Sequence, residues 1–239
     1  MTINEKMNPN KTARVAGFLY LLMAPFGIFG ILWASSLIVP GDAATTANNI
    51  MASESLFRLS IVSALMVQII TIFVVLVLYK LLKPVNKNHA LLMVIFILLG
   101  APIAMLNELN RFVTLLLLSG ADYLTVFTAD QLQALVPLFL DLHEQGVTIA
   151  GIFWSLWLFP MGYLVFKSGY IPRILGVLLI IAGFGYLIDS FAGFLLPNFY
   201  APISRFILFT TYGELLFPLW LLIKGVNVEQ WEKRALESA

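Results

Sequence analysis

The stretch that decides the fold runs from Ala90 to Leu118 and reads ALLMVIFILLGAPIAMLNELNRFVTLLLL. Up to Leu106 it contains no charged side chain and no side-chain amide. The hydrocarbon core of a bilayer is roughly 30 Å thick and takes about 20 apolar residues per helix. Because the apolar residues are consecutive rather than alternating, the run is typical of a membrane-spanning helix and not of a barrel strand.

The composition of the whole chain agrees with this stretch. Of its 239 residues, 60% are hydrophobic and only 11% are charged, and the mean hydropathy is +0.93. Water-soluble domains carry about 25% charged residues. We therefore expect an all-α polytopic membrane protein in which residues 1–239 form a single integral membrane domain.

The chain contains six apolar runs that are long enough to span a bilayer, and little sequence lies outside them. The first follows Lys6, Lys11 and Arg14 as a signal peptide would, but about 25 apolar residues exceed the hydrophobic core of a signal. Prolines inside several runs are compatible with spans, since neighbouring helices satisfy the freed carbonyls. The predicted spans cover residues 15–39, 58–82, 90–118, 145–166, 173–196 and 205–223.

Lysine and arginine indicate the orientation, because short cytoplasmic segments accumulate them. With the N-terminus inside, 11 of the 14 basic residues fall on cytoplasmic segments. We therefore predict a cell-membrane protein with both termini in the cytoplasm. The eleven are Lys6, Lys11, Arg14, Lys80, Lys83, Lys87, Lys167, Arg173, Lys224, Lys233 and Arg234.

The longest connection, residues 119–145, contains the segment QLQALVPLFLDLHEQ (131–145). Its apolar and polar residues form an interrupted amphipathic pattern. Such a pattern predicts a helix that lies in the membrane interface and leads into span four.

The polar segment MLNELNRF (105–112) interrupts span three near its outer end. At about 1.5 Å per residue, Glu108 lies roughly 27 Å above the start of the span. Arg111 is three residues further along, so the two side chains share a helix face and can pair. Ala101 and Ala104 on the same face are small residues that suit helix contact.

Other charged residues fall in the same outer half of the predicted bundle, whereas the inner half has almost none within the core. A charge in hydrocarbon costs several kcal/mol, so such groups are expected to pair or to face a wet cavity. We expect them to turn toward one shared interior, with Glu214 the strongest candidate because it lies deepest. The candidate binding residues are Glu108, Arg111, Asn107, Asp189, Glu214, His143, Glu144 and Arg58, with Asp141 and Arg205 at similar depth.

Two explanations of this pattern remain open. The charges either form interhelical ion pairs that fix packing, or they line a polar cavity that holds a small molecule, lipid or ion. His143 beside Glu144 fits a proton relay and equally a solvated, capping histidine. Asn107 fits a ligand contact and equally a hydrogen bond between helices.

The sequence gives little support to an enzyme. It contains no metalloprotease, nucleophile-elbow or P-loop motif, and we assign no catalytic residue. A lipid-modifying enzyme that uses two close carboxylates is a third hypothesis. With no cysteine, two histidines and a net charge of +1, we expect no cofactor, no metal and no nucleic acid partner. Membrane lipids are the expected partners, and a homo-oligomer is compatible with the sequence.

The second half of the chain resembles a known family. The segments are FPMGYLVFKSGYIPRILGVLLIIAGFGYLIDS (159–190) and GELLFPLWLLIKGV (213–226), with weaker likeness in ARVAGFLYLL (13–22) and SESLFRLS (53–60). They are similar to the prokaryotic membrane family of domain of unknown function 4386. The resemblance implies a multi-pass membrane protein of about this length and carries no activity with it. Asp189 and Glu214 lie in its best-matching segments.

Overall fold

The computed structural model describes residues 7–196 and 199–238, and these residues are helical almost throughout, with no strand among them. A short 3₁₀ helix covers Asp122–Leu124. The α-helices are α1 (Pro9–Leu37), α2 (Ala43–Ala52), α3 (Glu54–Leu82), α4 (Lys87–Asn107), α5 (Leu109–Leu117), α6 (Ala129–Leu156), α7 (Leu158–Ser168), α8 (Arg173–Leu195), α9 (Tyr200–Ile223) and α10 (Val228–Glu237).

Five segments of the described chain are long and apolar enough to cross a bilayer. They are α1, α3, α4 with α5, α6 with α7, and α8. The all-α class of the prediction is therefore confirmed, and its first five spans coincide with these segments. The sixth predicted span falls on α9, whose apolar part, Tyr212–Ile223, is shorter.

Span three is interrupted at the polar segment rather than continuous. Helix α4 ends at Asn107 and α5 begins at Leu109. At the junction the amide of Glu108 donates to the carbonyl of Met105, three residues back, at 3.3 Å. A bond between residues three apart is typical of a 3₁₀ turn, which is tighter than an α-helical turn. The helix therefore changes geometry at the point where the charged side chains begin.

The predicted interfacial helix before span four is corrected by the structure. Residues 131–145 are not a separate element but the first half of α6, which continues to Leu156 with Pro137 inside it. The break comes at Trp157, because the ring of Pro160 clashes with the carbonyl four residues earlier, that of Leu156. The segment Ala129–Ser168 has 40 residues, or about 60 Å of helix, so only part of it fits inside the hydrocarbon.

The chain divides into two compact units. Unit 1 comprises Met1–Leu22, Ile70–Gly100 and Gly151–Ala239, and unit 2 comprises Met23–Ile69 and Ala101–Ala150. The core of unit 2 joins apolar side chains of α1, α2, α3, α5 and α6, centred on the fully buried Phe57 and Ile50. Helix α2 was not predicted from the sequence; it is capped by Asp42, whose pKa is lowered by hydrogen bonds from Thr45.

In unit 1 the helices approach closely at glycines. A Cβ added to Gly162 of α7 would lie 2.7 Å from the carbonyl oxygen of Gly176 of α8, and one added to Gly176 would lie 2.6 Å from that of Gly162. Only glycine permits this separation of the two backbones, and small residues serve this purpose between membrane helices. Helix α8 also packs along α9, where the side chain of Thr210 fills the space beside Gly185.

Several helix ends lie close together at one end of unit 1. The side chain of Asn10, near the start of α1, accepts a hydrogen bond from the amide of Val226 after α9 at 2.9 Å. The carbonyl of Leu81, near the end of α3, accepts from Tyr170 and from Trp231, each at 2.8 Å. Burial raises the pKa of Tyr170, which keeps its hydroxyl protonated as a donor. The C-terminal helix α10, which the sequence analysis missed, is thereby fixed to the bundle.

Candidate functional site

Glu108 is the centre of a buried ionisable cluster in unit 2. Glu108 and Arg111 are only 6% and 5% exposed. One carboxylate oxygen of Glu108 lies 3.4 Å from Nη1 of Arg111, and the other lies 2.9 Å from Nε2 of His143 on α6. The cluster therefore combines an acid, a permanent cation and an imidazole on two elements of the chain.

Arg111 has two further contacts inside unit 2. Its Nη2 donates to the carbonyl oxygen of Gly30 on α1 at 3.4 Å. Its guanidinium carbon lies 5.5 Å from the centre of the Phe57 ring, within the range of a cation–π interaction. Helices α1 and α3 thus hold the guanidinium against the interruption in span three.

Asn107 fixes the backbone on which His143 is carried. Its side-chain nitrogen donates to the carbonyl oxygen of His143 at 2.8 Å, and its side-chain oxygen accepts from Asn110 at 2.9 Å. Gly146, less than one turn beyond His143, leaves room for this amide: an added Cβ would lie 1.9 Å from the side-chain oxygen of Asn107. Asn107 and Glu108, which bind the carbonyl and the ring of His143, therefore hold α6 beside the α4–α5 junction.

The charges of this cluster balance when the imidazole is neutral. The carboxylate of Glu108 and the guanidinium of Arg111 then cancel, and a proton added to His143 leaves one net positive charge in an enclosed site. Such a site can take up a proton, or can exchange the Glu108 carboxylate for an anionic group of a ligand at Arg111. Both are reversible local events that need no covalent chemistry.

Glu214 lies in unit 1 and has tyrosine partners. The hydroxyl of Tyr20 on α1 donates a hydrogen bond to its carboxylate, and the hydroxyl of Tyr186 on α8 interacts with the same group. The Tyr20 ring stacks on Trp157 with 5.8 Å between ring centres. The half-buried carboxylate is therefore held by neutral donors.

Asp189, also in unit 1, has one satisfied and one unsatisfied oxygen. Its Oδ2 accepts from the hydroxyl of Tyr200 at 3.1 Å. Its Oδ1 is buried and has no hydrogen-bond partner among the described residues. The hypothesis of a lipid-modifying enzyme requires two carboxylates close together. The partners described for Asp189, Glu214 and Glu108 are instead hydroxyl groups, a guanidinium and an imidazole.

The remaining predicted residues lie on exposed positions. Arg58 pairs with Glu54 at 2.7 Å, and both side chains are 52% exposed. Glu144, Asp141 and Arg205 are also exposed. The structure thus brings together Glu108, Arg111, Asn107 and His143 within unit 2. A chamber shared with Asp189 and Glu214 would involve both units and stays a prediction.

Sequence reasoning missed the aromatic and backbone partners of these charges. Tyr20 was counted among the apolar residues of span one, although a tyrosine hydroxyl in hydrocarbon needs a hydrogen-bond partner and so signals one. Phe57 lies just before the predicted start of span two at residue 58 and was not considered. The carbonyl of Gly30 carries no sequence signal. Among the described residues, no group of three or more histidine, aspartate or glutamate side chains is arranged to hold a metal ion.

Comparison with known proteins places the chain in a family. The family described as domain of unknown function (DUF4386) matches residues 15–225. The chain belongs to this family. The match includes every residue of the Glu108 cluster, the partners of Glu214 and the partner of Asp189, and it ends before α10. The DUF4386 resemblance of the sequence is thereby confirmed.

The chain is also similar to an individual protein. An uncharacterized protein from Archaeoglobus fulgidus is 36% identical over 171 residues, which cover 72% of this chain and 86% of that protein. No solved structure matches this chain.

Proposed function

We propose that this DUF4386 protein binds or moves a small molecule, lipid or ion at the cluster of Glu108, Arg111 and His143, and that the cluster takes up a proton as it does so. The observation that carries the proposal is the enclosure of these three ionisable side chains in unit 2, with Glu108 and Arg111 at 6% and 5% exposure. Ionisable groups at such depth are costly, and they commonly mark substrate and proton pathways.

The geometry favours a site over a permanent ion pair. The two hydrogen bonds of Arg111 are both 3.4 Å, whereas charge-assisted bonds between nitrogen and oxygen are usually about 2.7 to 2.9 Å. A pair that only fixed helix packing would gain most from short, bidentate contact. The long contacts leave the guanidinium available to an anionic group, and the imidazole of His143 lies against the same carboxylate as an additional proton-accepting group.

We further propose six spans with both termini in the cytoplasm of a prokaryotic cell. The contacts at one end of unit 1 support this, since they join the start of α1, the end of α3, the turn before α8 and the end of α9. Alternating helix directions with α9 as the sixth span bring these four points to one side. Most lysines and arginines flank the same points, as expected for cytoplasmic segments.

Glu108→Gln tests the proposed site, because it removes the charge and keeps the volume. The matched control is Glu54→Gln, which removes the same charge from the exposed pair with Arg58. Each purified protein is reconstituted into liposomes that contain a pH-sensitive dye. Proton flux is then followed after an external shift from about pH 7.5 to about pH 5.5, a window that spans the ordinary titration of histidine. Thermal shifts with a panel of anionic and cationic small molecules are measured at both pH values.

We expect proton flux or a pH-dependent ligand shift in the native protein and in Glu54→Gln, and neither in Glu108→Gln. A native protein without flux and without any ligand shift would contradict the proposal. In that case the only measurable consequence of Glu108→Gln would be a lower unfolding temperature, and the cluster would contribute to stability alone.

A structural role in helix assembly is the second candidate. The contacts of Arg111 with the Gly30 carbonyl and the Phe57 ring favour it, because they tie α1 and α3 to the α4–α5 junction. This role predicts that replacing Glu108 and Arg111 together by leucine and methionine leaves stability unchanged or raises it, as seen when buried ion pairs are replaced by apolar residues. Under the proposed function the same double variant folds but loses flux and ligand response.

A further inference from the structure

Unit 1 contains a groove of about 460 Å³ beside the first turns of α1 and the last turn of α9. Its lining has two chemically different parts. One part is basic and polar, and the other is apolar. The lining residues are Asn8, Asn10, Lys11, Arg14, Val15, Phe18 and Leu222.

Among the residues that the structure describes, the basic part has no acidic partner. Lys11 and Arg14 are exposed, and no ion pair joins either of them to another described residue. The side-chain oxygens of Asn8 and Asn10 are engaged, since they accept hydrogen bonds from the amides of Lys11 and Val226. The side-chain nitrogens of both asparagines, which are donors, are not used in these two bonds. Two cations, lined by two polar asparagines, form a site complementary in charge to a phosphate group.

The apolar part continues from the basic part along α1. Val15 and Phe18 are 40% and 55% exposed, and they follow Lys11 at helical spacings of four and seven residues. Phe18 is therefore about 10 Å further along the helix axis than Lys11. The order of a phosphate site followed by an apolar wall is the order of the headgroup and acyl chain of a phospholipid.

We propose that this groove binds one anionic phospholipid, with its phosphate at Lys11 and Arg14 and an acyl chain along Val15, Phe18 and Leu222. A zwitterionic lipid fits less well, because its headgroup carries a cation that Lys11 and Arg14 repel. Free phosphate uses only the basic part of the groove. In the six-span orientation the lipid belongs to the cytoplasmic leaflet, where basic pockets recognise acidic headgroups. This site is separate from the Glu108 cluster and does not depend on its function.

Binding is measured on the full chain in a neutral detergent, by titration with dioctanoyl phosphatidylglycerol and with the matched phosphatidylcholine. Inorganic phosphate is titrated separately. The test variant is Lys11→Gln with Arg14→Gln, and the control is Lys80→Gln with Lys83→Gln, which removes two exposed cations of unit 1 outside the groove. A basic residue at a membrane surface contributes about 1 kcal/mol to binding of acidic lipid, so the test variant is expected to bind phosphatidylglycerol roughly 30-fold more weakly.

The control is expected to bind phosphatidylglycerol like the native protein, and phosphatidylcholine is expected to bind more weakly to both. Phe18→Ser is expected to weaken phosphatidylglycerol binding and to leave any effect of phosphate unchanged. The proposal is overturned if the two lipids bind equally, if the control loses as much affinity as the test variant, or if inorganic phosphate competes at equal concentration. Since Lys11, Arg14 and Phe18 are exposed, an unchanged unfolding temperature without lipid verifies that each variant is folded.

Discussion

At the scale of single residues, Glu108 and Arg111 behave as their spacing indicates, but their surroundings are supplied by other helices. A separation of three residues on a helix brings the two side chains into contact, and the structure has them 3.4 Å apart. His143, 35 residues away, contacts the same carboxylate. The spacing within one helix is readable from sequence, whereas the third partner depends on how α6 packs.

Gly146 is a residue whose importance only the packing reveals. We predict that Gly146→Ala lowers the free energy of unfolding by about 1 to 3 kcal/mol, because the new methyl group displaces the Asn107 amide and breaks its bond to His143. The measurement is the thermal or denaturant-induced unfolding of the purified protein in detergent. The expected loss follows from an added Cβ at 1.9 Å from the Asn107 oxygen.

Gly27→Ala is the matched control for this substitution. Gly27 also lies inside a helix of unit 2, but an added Cβ there would have no atom within 4 Å. Alanine is expected to be neutral or to stabilise α1 by up to about 1 kcal/mol. Equal destabilisation by both substitutions would show that the Asn107 contact is not the cause.

At the scale of elements, the end of α3 is closed both by a turn, in which the amide of Val85 donates to the carbonyl of Leu82 at 3.0 Å, and by side chains from other elements. The last carbonyls of a helix lack intrahelical donors. The carbonyl of Leu81 accepts from Tyr170, in the turn between α7 and α8, and from Trp231 of α10. Two elements far apart in sequence thus share one acceptor.

We predict that Tyr170→Phe and Trp231→Phe destabilise the protein cooperatively. Each single substitution removes one donor and is expected to cost about 1 kcal/mol, since the carbonyl keeps its other partner. The double substitution leaves a buried carbonyl unpaired, so its cost should exceed the sum of the two singles. A double-mutant cycle of unfolding free energies measures the difference. Strict additivity would mean that water or another donor satisfies Leu81.

The elements that the sequence analysis missed are the short polar ones. Helices α2 and α10 contain too few apolar residues to signal a span, and each is stabilised by packing on the longer helices. Ile50 anchors α2 and Trp231 anchors α10. The separate interfacial helix was expected because residues 131–145 are amphipathic, but no residue there ends the helix before Pro160 does so at Trp157.

At the scale of the whole molecule, the absence of cysteine allows a direct test of the topology. We predict that a cysteine at position 126 reacts with a membrane-impermeant maleimide on intact cells. Cysteines at positions 88 and 238 should react only after the membrane is opened. The variants are Val126→Cys, Asn88→Cys and Ser238→Cys, and all three positions are exposed.

The native protein, which has no thiol, serves as the unlabelled control. Labelling of positions 88 and 238 in intact cells, with position 126 protected, would reverse the proposed orientation. Labelling of position 238 without position 88 would place the C-terminus on the other side and remove the sixth span.

The sequence by itself determined that the described chain is helical and that it contains several spans, because the length of an apolar run and the thickness of a bilayer together require it. It also located the polar segment around Glu108. Only the tertiary structure decided which group each charge meets: Gly30, Phe57 and His143 at the Glu108–Arg111 pair, and Tyr20 at Glu214. These partners come from helices that are distant in sequence. How those helices pack depends on close approaches at glycines and on breaks at helix junctions. The periodicity of apolar residues along the sequence does not encode either feature.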